Sequence, residues 1–421
     1  MSLYDKASIA LIPSGTKAGT LYSVLPANGD GDFTHSRSLT TATRVNKDGL
    51  IESVAADVPR LDYPLTNGVV GDCPHLLLEP SRTNVLPYSE EMDNAGWNKS
   101  NSTITANQIV SPDGSQTADK YTHGGSTAGN YIFENGFSVS SGTEYTFSVF
   151  VKKGTTDFVQ ILLSSSMFGT LHQNFDINNG IIGSSSGDPE PFIEEYPNDW
   201  FRIGITDTAT STGTGSALIS LARSNTENRL ASFSSSQYFY LWGAQFETGD
   251  YKTSYIPTSG STVTRSVDIC GSAGTSAQVN NDAGAFFVEI QALEEGSSAS
   301  RRITLSAENS DNRILIETDE LDGVFKIFIA GGGTVRGVAT SYGNTQTDMN
   351  KIAVSYDGVN AKAYINGTQA GSITNATTRT GIDTIDIADW NGTSNVYFGR
   401  VKQIIVFNEA LSDSELETLT S

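Results

Sequence analysis

Apolar and polar residues alternate along most of this 421-residue chain, and the apolar spacing that marks an amphipathic helix is nearly absent. Residues 143–151 read TEYTFSVFV, so every second residue from Tyr145 to Val151 lies on one face of a strand. The dipeptides Asp322–Gly323 and Asn366–Gly367 favour tight hairpins, because Gly, Asn and Asp tolerate positive φ. Short strands joined by regular turns predict an all-β chain built of β-sandwiches.

The density of strand patterns divides the chain into three parts. Residues 1–88 contain short apolar groups and scattered prolines, which predicts an irregular N-terminal segment without a core of its own. We therefore expect another protein surface to order this segment. Residues 89–262 and 263–421 predict two tandem antiparallel β-sandwiches, joined near the stretch PTSGSTVTR at 257–265. A capping box from Ser412 to Glu415 predicts one short C-terminal helix.

The charge composition excludes several classes of function. The chain has 47 acidic and 26 basic residues, which gives a formal net charge of −21. Such a chain repels nucleic-acid phosphates and anionic lipid surfaces, and it contains no Lys/Arg cluster. No apolar stretch approaches the roughly 20 residues that a membrane span needs. We expect neither nucleic-acid binding nor membrane insertion.

No enzyme motif stands out in the sequence. The carboxylates Asp383, Asp386 and Asp389 lie in one strand pattern, as an acid/base pair of a glycoside hydrolase would. However, all three are Asp and the following residues read as a turn, so acidic caps at a strand end are the favoured interpretation. His172 near Asp176 is a second candidate, and an exposed loop histidine is its alternative. We predict that the chain is not an enzyme and has no catalytic residues.

Two tryptophans in polar loops are candidates for carbohydrate binding. Sugars stack their C–H faces on aromatic rings, while Asn and Asp side chains bond to their hydroxyls. Trp390, with Asp389 and Asn391, lies in a predicted loop of the second sandwich, and Trp97 lies in a polar loop at the start of the first sandwich. Packing against the core is the alternative for both rings. Trp200 and Trp242 lie within strand patterns and are expected in the core.

No cofactor is predicted, and a structural calcium ion in one loop is kept as an alternative. Residues 28–32, NGDGD, resemble the opening of a calcium loop because they present several oxygen ligands. Phe33 and Leu39 stand where an EF-hand has its Gly and Glu, so the loop is not an EF-hand.

Three stretches of the chain resemble known families. Residues 31–63 and 73–92, which include TRVNKDGLIESVAADVPRLDY and LLLEPSRTN, resemble the N-terminal region of bacteriophage tail-fibre and virion structural proteins. The segments EYTFSVFVKKG (144–154) and YLWGAQFETGDYKTSYIPT (240–258) resemble a carbohydrate-binding-module-like jelly roll common in such fibres. Residues 351–373 and 396–419, with the turns Tyr356–Gly358 and Tyr364–Gly367, resemble the concanavalin A-like, laminin-G-like sandwich.

These resemblances imply a bacteriophage virion fibre or adhesin. Residues 1–88 would dock on other virion proteins, and the sandwiches would bind host-surface or environmental glycans. The family also implies a homotrimer, assembled in the bacterial host cytoplasm and located in the virion. A capsid-decorating or head-fibre protein without a ligand is the main alternative, and a glycan depolymerase is a further one.

Overall fold

The computed structural model describes residues 2–38, 42–125, 129–169, 171–230, 236–296, 299–358, 360–374 and 378–421, without the side chains of 336–339. Regular structure among these residues is almost entirely β-strand, which confirms the all-β prediction. A 3₁₀ helix at Leu3–Lys6 opens the chain. The strands of the N-terminal segment are β1 (Ala7–Leu11), β2 (Thr16–Lys17), β3 (Thr20–Leu21), β4 (Phe33–Ser36), β5 (Ala42–Val45), β6 (Ile51–Val54), β7 (Arg60–Asp62), β8 (Leu65–Thr66), β9 (Val69–Val70), β10 (His75–Leu78) and β11 (Arg82–Asn84).

The two sandwich regions supply the remaining elements. The middle region contains β12 (Asn98–Ser100), β13 (Ser102–Ile109), β14 (Ala118–His123), β15 (Tyr131–Val139), β16 (Glu144–Lys153), β17 (Phe158–Leu163), α1 (Ser165–Phe168), β18 (Leu171–Asp176), β19 (Ile181–Ser186), β20 (Glu190–Tyr196), β21 (Trp200–Thr208), β22 (Gly213–Leu221) and β23 (Tyr238–Thr248). The last region contains β24 (Val263–Arg265), β25 (Ile269–Gly271), β26 (Ala283–Ala292), β27 (Arg301–Ser306), β28 (Arg313–Thr318), β29 (Phe325–Gly331), β30 (Thr334–Ser341), β31 (Asn350–Asp357), β32 (Asn360–Ile365), β33 (Thr368–Ile373), β34 (Thr384–Asp386), β35 (Gly399–Phe407) and α2 (Asp413–Thr420).

The middle sandwich consists of two six-stranded antiparallel sheets. Their strand orders are β12-β15-β22-β17-β18-β19 and β13-β14-β23-β16-β21-β20. The alternation in the sequence sets the faces: Val149 and Val151 lie in the core between the sheets, whereas Phe150 packs in a second apolar cluster on the outer face. Trp200 and Trp242 belong to that second cluster and are each 1% exposed, as expected for core residues.

The C-terminal sandwich packs an eight-stranded sheet against a five-stranded one. The larger sheet has the order β33-β32-β31-β26-β35-β10-β7, with β1 also paired to β35, and the smaller has the order β30-β29-β28-β27-β34. At the hairpin between β32 and β33, Asn366 and Gly367 adopt φ of 48° and 78°, as the turn dipeptide predicts. Helix α2 begins after Ser412, whose backbone N–H donates to Glu415 Oε2 at 2.9 Å, so the predicted capping box is confirmed.

The N-terminal segment is ordered by strands of this same chain. Strands β1 and β10 pair along one edge of β35, with Ala10 opposite Ile405 and Leu76 opposite Val401, and β7 pairs with β10. Leu11 and Leu78 are fully buried in the core of the C-terminal sandwich. We expected another protein surface in this role. The intramolecular solution works because strands of three to five residues, too short for a core, can each complete an existing sheet.

A buried ion cluster joins all three regions. It comprises Arg37, Arg60 and Glu79 of the N-terminal segment together with Arg265 and Asp268, and the side chains are between 0% and 3% exposed. Arg60 Nη1 lies 2.6 Å from Glu79 Oε2, and Arg37 Nη1 lies 3.0 Å from Asp268 Oδ1. Burial opposes ionisation, yet Arg265 and Arg60 hold the pKa of Glu79 at about 2. Each carboxylate is therefore charged and matched by arginines.

The middle region reaches this cluster through Ser254. Its backbone N–H donates to Glu79 Oε1 at 2.7 Å, and its hydroxyl accepts from Arg60 Nη1 at 2.8 Å. Arg60 and Glu79 lie in the segments PRLDY and LLLEP, which belong to the stretches that resemble phage virion proteins. In this structure both residues help to hold the regions of the chain together. Among the described residues, none of the helices has the length and apolar character to cross a membrane.

Candidate functional site

The loop between β34 and β35 lies over the outer face of the five-stranded sheet. In β27, Ile303 and Leu305 point into the core, so Arg302 and Thr304 lie on the other face. Thr304 Oγ1 donates to the carbonyl of Ala388 at 2.7 Å, which attaches the loop to the sheet. This alternation within one strand places polar side chains beneath the loop that contains the predicted carbohydrate-binding residues.

Asp389 holds the loop in place. Its side chain is 7% exposed and accepts hydrogen bonds from Arg302 Nη1 at 2.5 Å and Arg313 Nη1 at 2.7 Å. Its Oδ1 also accepts from the backbone N–H of Trp390 at 2.9 Å. Arg302 is further bonded through Nε to Glu317 Oε2 at 2.7 Å. Burial lowers the pKa of Arg302, but its bonds with Glu317 and Asp389 outweigh this and raise the pKa above its usual value.

Trp390 and Asn391 differ from Asp389 in being accessible. Trp390 is half-buried and Asn391 is exposed. Asn391 Oδ1 accepts from the backbone N–H groups of Thr393 and Ser394 at 3.1 and 2.9 Å, so it shapes the turn. The side chains of Arg302 and Arg313 retain 22% and 15% exposure beside the loop. We call Arg302, Arg313, Glu317, Trp390 and Asn391 the Trp390 surface.

The structure assigns new roles to two of the four predicted residues. The carboxylate of Asp389 is engaged by two arginines, so it positions Trp390 and is not open to a ligand. Trp97 is 1% exposed, and its indole N–H donates to the carbonyl of Tyr88 at 2.7 Å. Its ring packs in the core of the middle sandwich, which is the alternative that the sequence left open. Of the two tryptophans, Trp390 is half-buried and Trp97 is fully buried.

The candidate catalytic carboxylates contact separate partners. Asp386 is 3% exposed and accepts from the backbone N–H of Ser272 at 2.9 Å, and burial raises its pKa to about 6. Asp383 Oδ1 accepts from the hydroxyl of Thr384, and Asp389 binds its arginines. His172 lies on β18 and is 6% exposed, so its interpretation as an exposed loop residue was wrong. Strand β18 pairs on both sides, which explains the burial.

The calcium-like loop is closed by its own side chains. Asn28 Nδ2 donates to Asp30 Oδ2 at 2.7 Å, and the backbone N–H of Ser23 donates to Asp32 Oδ1 at 2.8 Å. Over the part of the chain that the structure describes, no three His, Cys, Asp or Glu side chains are grouped as metal ligands would be.

Comparison with known families identifies the last region. Residues 252–417 match a family described as the concanavalin A-like lectin/glucanases superfamily. This confirms the concanavalin A-like prediction for the C-terminal sandwich. The match covers 252–417 and leaves the N-terminal segment and most of the middle sandwich outside it. A search of curated proteins found no match.

Several solved structures share partial similarity with the chain. One is the CBM40 of the Ruminococcus gnavus IT-sialidase bound to α2,3-sialyllactose, with 14% identity, a TM-score of 0.30, and coverage of 36% of this chain and 94% of that chain. A second is domain 4 of AbnA, a GH43 extracellular arabinanase from Geobacillus stearothermophilus, in complex with arabinotriose (14% identity, TM-score 0.31, 37% and 73%). A third is the heptameric SAP-like pentraxin of Limulus polyphemus (12% identity, TM-score 0.27, 36% and 72%).

Sequence reasoning missed the two arginines that hold the Trp390 loop. Arg302 and Arg313 lie on paired antiparallel strands, and both occur at the start of the strand patterns RRITLS and RILIET. Basic residues on the polar face of adjacent strands were the available signal. What the sequence could not supply was their proximity to Asp389, which is 76 or more positions away.

Proposed function

We propose that this chain is a bacteriophage virion protein of the fibre or adhesin type, and that its C-terminal sandwich binds host-surface glycans at the Trp390 surface. One observation carries the glycan-binding part of the proposal. A half-buried tryptophan is held on a sheet face by a partly buried Asp–Arg pair, in the region that matches a lectin and glucanase superfamily. The phage origin rests on the resemblance of residues 31–63 and 73–92.

The chemistry of the Trp390 surface suits a sugar. The indole provides a platform for the C–H face of a pyranose ring, and Arg302 and Arg313 provide hydrogen-bond donors for hydroxyl oxygens. Because Asp389 fixes the loop before any ligand arrives, little conformational entropy is lost on binding. Each contact remains weak, and display of many copies on a particle converts it into adhesion through effective concentration.

We assign the proposed anchoring function to the part of the N-terminal segment that does not pair with the C-terminal sandwich. Strands β1, β7 and β10 belong to the large sheet of that sandwich. Docking on other virion proteins would therefore use the exposed parts of residues 2–88. Tyr22, Val24 and Val69 are 40%, 50% and 68% exposed and offer apolar contacts there. A homotrimer, as the fibre resemblance implies, would add contacts between copies.

Glycan arrays probed with the full chain, coupled to beads for multivalent display, test the binding function. We expect Trp390→Ala to lower the array signal by roughly tenfold or more, because aromatic anchors dominate such interfaces. Tyr342→Ala is the matched control, since Tyr342 is an exposed aromatic residue of the same sandwich that lies outside the surface. Equal signals from wild type and Trp390→Ala would contradict the proposal.

A structural virion protein without a ligand is the second candidate. It is favoured by the internal engagement of Asp389 and of Asn391 Oδ1, which leaves few free acceptors for sugar hydroxyls. An array without any signal at high valency supports it. Immunogold labelling of purified particles with an antibody to the chain then tests the virion location that both candidates share, and particles without label would overturn it.

A further inference from the structure

A cleft with a volume of about 580 Å³ lies where the three regions meet. The N-terminal segment contributes Asp62–Asn67 and His75, the middle sandwich contributes Ile193–Tyr196 and Lys252–Tyr255, and the C-terminal sandwich contributes residues that include Arg400. The volume falls within the range of about 300–1,000 Å³ that small-molecule sites occupy. No single region forms this cleft, so it exists only in the assembled chain.

Six of the eight charged side chains of the cleft form ion pairs, four of them with one another. Arg400 Nη2 lies 3.0 Å from Asp62 Oδ2, and Lys252 Nζ lies 2.9 Å from Glu194 Oε1. Four basic and four acidic side chains line the cleft: Arg44, Arg202, Lys252, Arg400, Asp62, Glu79, Glu194 and Glu195. An ionic ligand would have to compete with these pairs. A ligand whose groups both donate and accept hydrogen bonds can instead bond to each pair without breaking it.

A buried neutral histidine adds a polar group to the lining of the cleft. His75 lines the cleft, is 7% exposed, and its Nδ1 makes no hydrogen bond to the described residues. Burial, reinforced by Arg400 and Lys402, lowers the pKa of His75 to about 4. The imidazole is therefore neutral near pH 7, with one donor and one acceptor nitrogen. A buried polar atom without a partner is uncommon in folded proteins, so this neutral imidazole is a lining group that the described residues do not fully engage.

Apolar groups complete the lining of the cleft. Tyr196 and Tyr255 are 9% and 3% exposed, and Leu65, Leu293 and Met349 are half-buried at the wall. Apolar surface beside convergent donors and acceptors matches a molecule that has C–H faces and a ring of hydroxyls. Sugars have this combination.

We propose that the cleft is a second binding site, separate from the Trp390 surface, and that it takes a neutral saccharide. The paired charges select against anionic and cationic sugars, and the apolar wall selects against small ions. The site depends on neither the virion location nor the Trp390 surface. Because all three regions line it, an occupant would also hold them together.

Binding of small neutral oligosaccharides to the full chain tests the site directly. Cellotriose, maltotriose, chitotriose and mannotriose are the neutral probes, and sialyllactose and a galacturonic acid trimer are the anionic ones, each measured by saturation-transfer NMR and titration calorimetry. Met349→Trp places a larger ring at the wall, and His75→Leu removes the unpartnered polar group at similar volume. Leu321→Trp, at a 61% exposed position outside the cleft, is the matched control.

We expect at least one neutral probe to bind, and both cleft variants to weaken its affinity by roughly tenfold or more, or about 1.4 kcal/mol. The control should bind as the wild type does, and thermal unfolding checks that every variant is folded. If Met349→Trp fails to fold, His75→Leu decides. Absence of binding by all neutral probes overturns the proposal, as does binding of the anionic probes alone. Loss of binding in Trp390→Ala with retention in both cleft variants also overturns it, and leaves the proposed function standing.

Discussion

The two sandwiches of this chain reach the same architecture by different routes. The middle sandwich takes the strands of both its sheets from the continuous stretch between Asn98 and Thr248. The C-terminal sandwich draws β1, β7 and β10 from the far end of the chain and places them beside β35. The first is a local structure, whereas the second is completed only by segments that precede the middle sandwich. Adjacent regions of similar fold can therefore differ completely in how far they depend on the rest of the chain.

The position of β35 explains this dependence. It is paired to β26 along one edge and to β1 and β10 along the other. Removal of the N-terminal strands would leave an apolar strand with Ile404, Val406 and Phe407 at the edge of the sheet, and exposed edges of this kind promote aggregation. An isolated 263–421 fragment is consequently not a fair test of the binding activity of the C-terminal sandwich.

The largest expected effect is a difference in folding between the two sandwiches when each is produced as a fragment. We expect residues 82–262 to fold alone with cooperative thermal unfolding, since β11 and Leu86 already pack on this sandwich. We expect residues 263–421 to be insoluble or to lack a cooperative transition. Circular dichroism with thermal melts measures both. A 263–421 fragment that melts cooperatively as a monomer would show that β1, β7 and β10 are dispensable.

The next effect concerns the buried ion cluster. Asp268→Ala removes the buried carboxylate that Arg37 and Arg60 share, although Arg60 keeps Glu79, and removal of one member of a buried pair destabilises by about 3–5 kcal/mol. Urea unfolding of the full chain measures this change. The control is Asp413→Ala, which breaks the exposed pair with Lys362 and should change the stability by about 0–1 kcal/mol. Similar losses in the two variants would refute the role of the cluster.

A smaller loss is expected from the Trp390 loop. Asp389→Ala leaves the donors of Arg302 and Arg313 without this acceptor, which costs about 1–3 kcal/mol. Hydrogen exchange should show the change at residues 386–396 and not in the middle sandwich. Uniform loss of protection across both sandwiches would mean that Asp389 supports the whole chain and not its own loop.

The smallest effect is a pH dependence of the middle sandwich. Burial raises the pKa of Glu134 to about 7 and that of Asp119 to about 6, so the folded state binds protons more tightly than the unfolded state. Stability contributed by these protons is present below about pH 4.5 and is lost as the pH rises toward 7. Glu134→Gln should therefore stabilise fragment 82–262 at pH 8, by about 1–2 kcal/mol, and less at pH 5. An equal change at both pH values would contradict the assignment to Glu134.

The sequence predicted the strands with strong alternation and missed the pairing over long distances. Strand β16 (Glu144–Lys153) covers nearly all of the predicted stretch 143–151, where every second residue from Tyr145 to Val151 lies in the core. Strand β10 has four consecutive buried residues, so it shows no alternation, and its partner β35 lies over 300 positions away. Local periodicity reports which face is buried but not which distant strand pairs with it.

In the candidate site, too, the sequence predicted local features and missed contacts between distant residues. The aromatic and polar composition of the loop predicted that Trp390 and Asn391 are accessible, because a polar turn between strands tends to lie at the surface. The composition around Trp97 is similar, yet that ring packs between the sheets. Asp389 could not be distinguished from a ligand contact until its two arginine partners were located. A buried carboxylate and an open one have the same residue type.

The contacts between residues 4–6 and residues 403–415 have a consequence for biosynthesis. Tyr4 bonds to Gln403, 399 positions further along, and Lys6 forms ion pairs with Glu409 and Glu415. At about 5–20 residues per second, the ribosome needs roughly 20–80 seconds to reach the partners of the first strand. During that interval the middle sandwich can fold while β1 waits unpaired. Ordering of residues 4–11 thus waits until their partners between 403 and 415 have been synthesised, and a premature stop near residue 400 would leave these early residues unpaired.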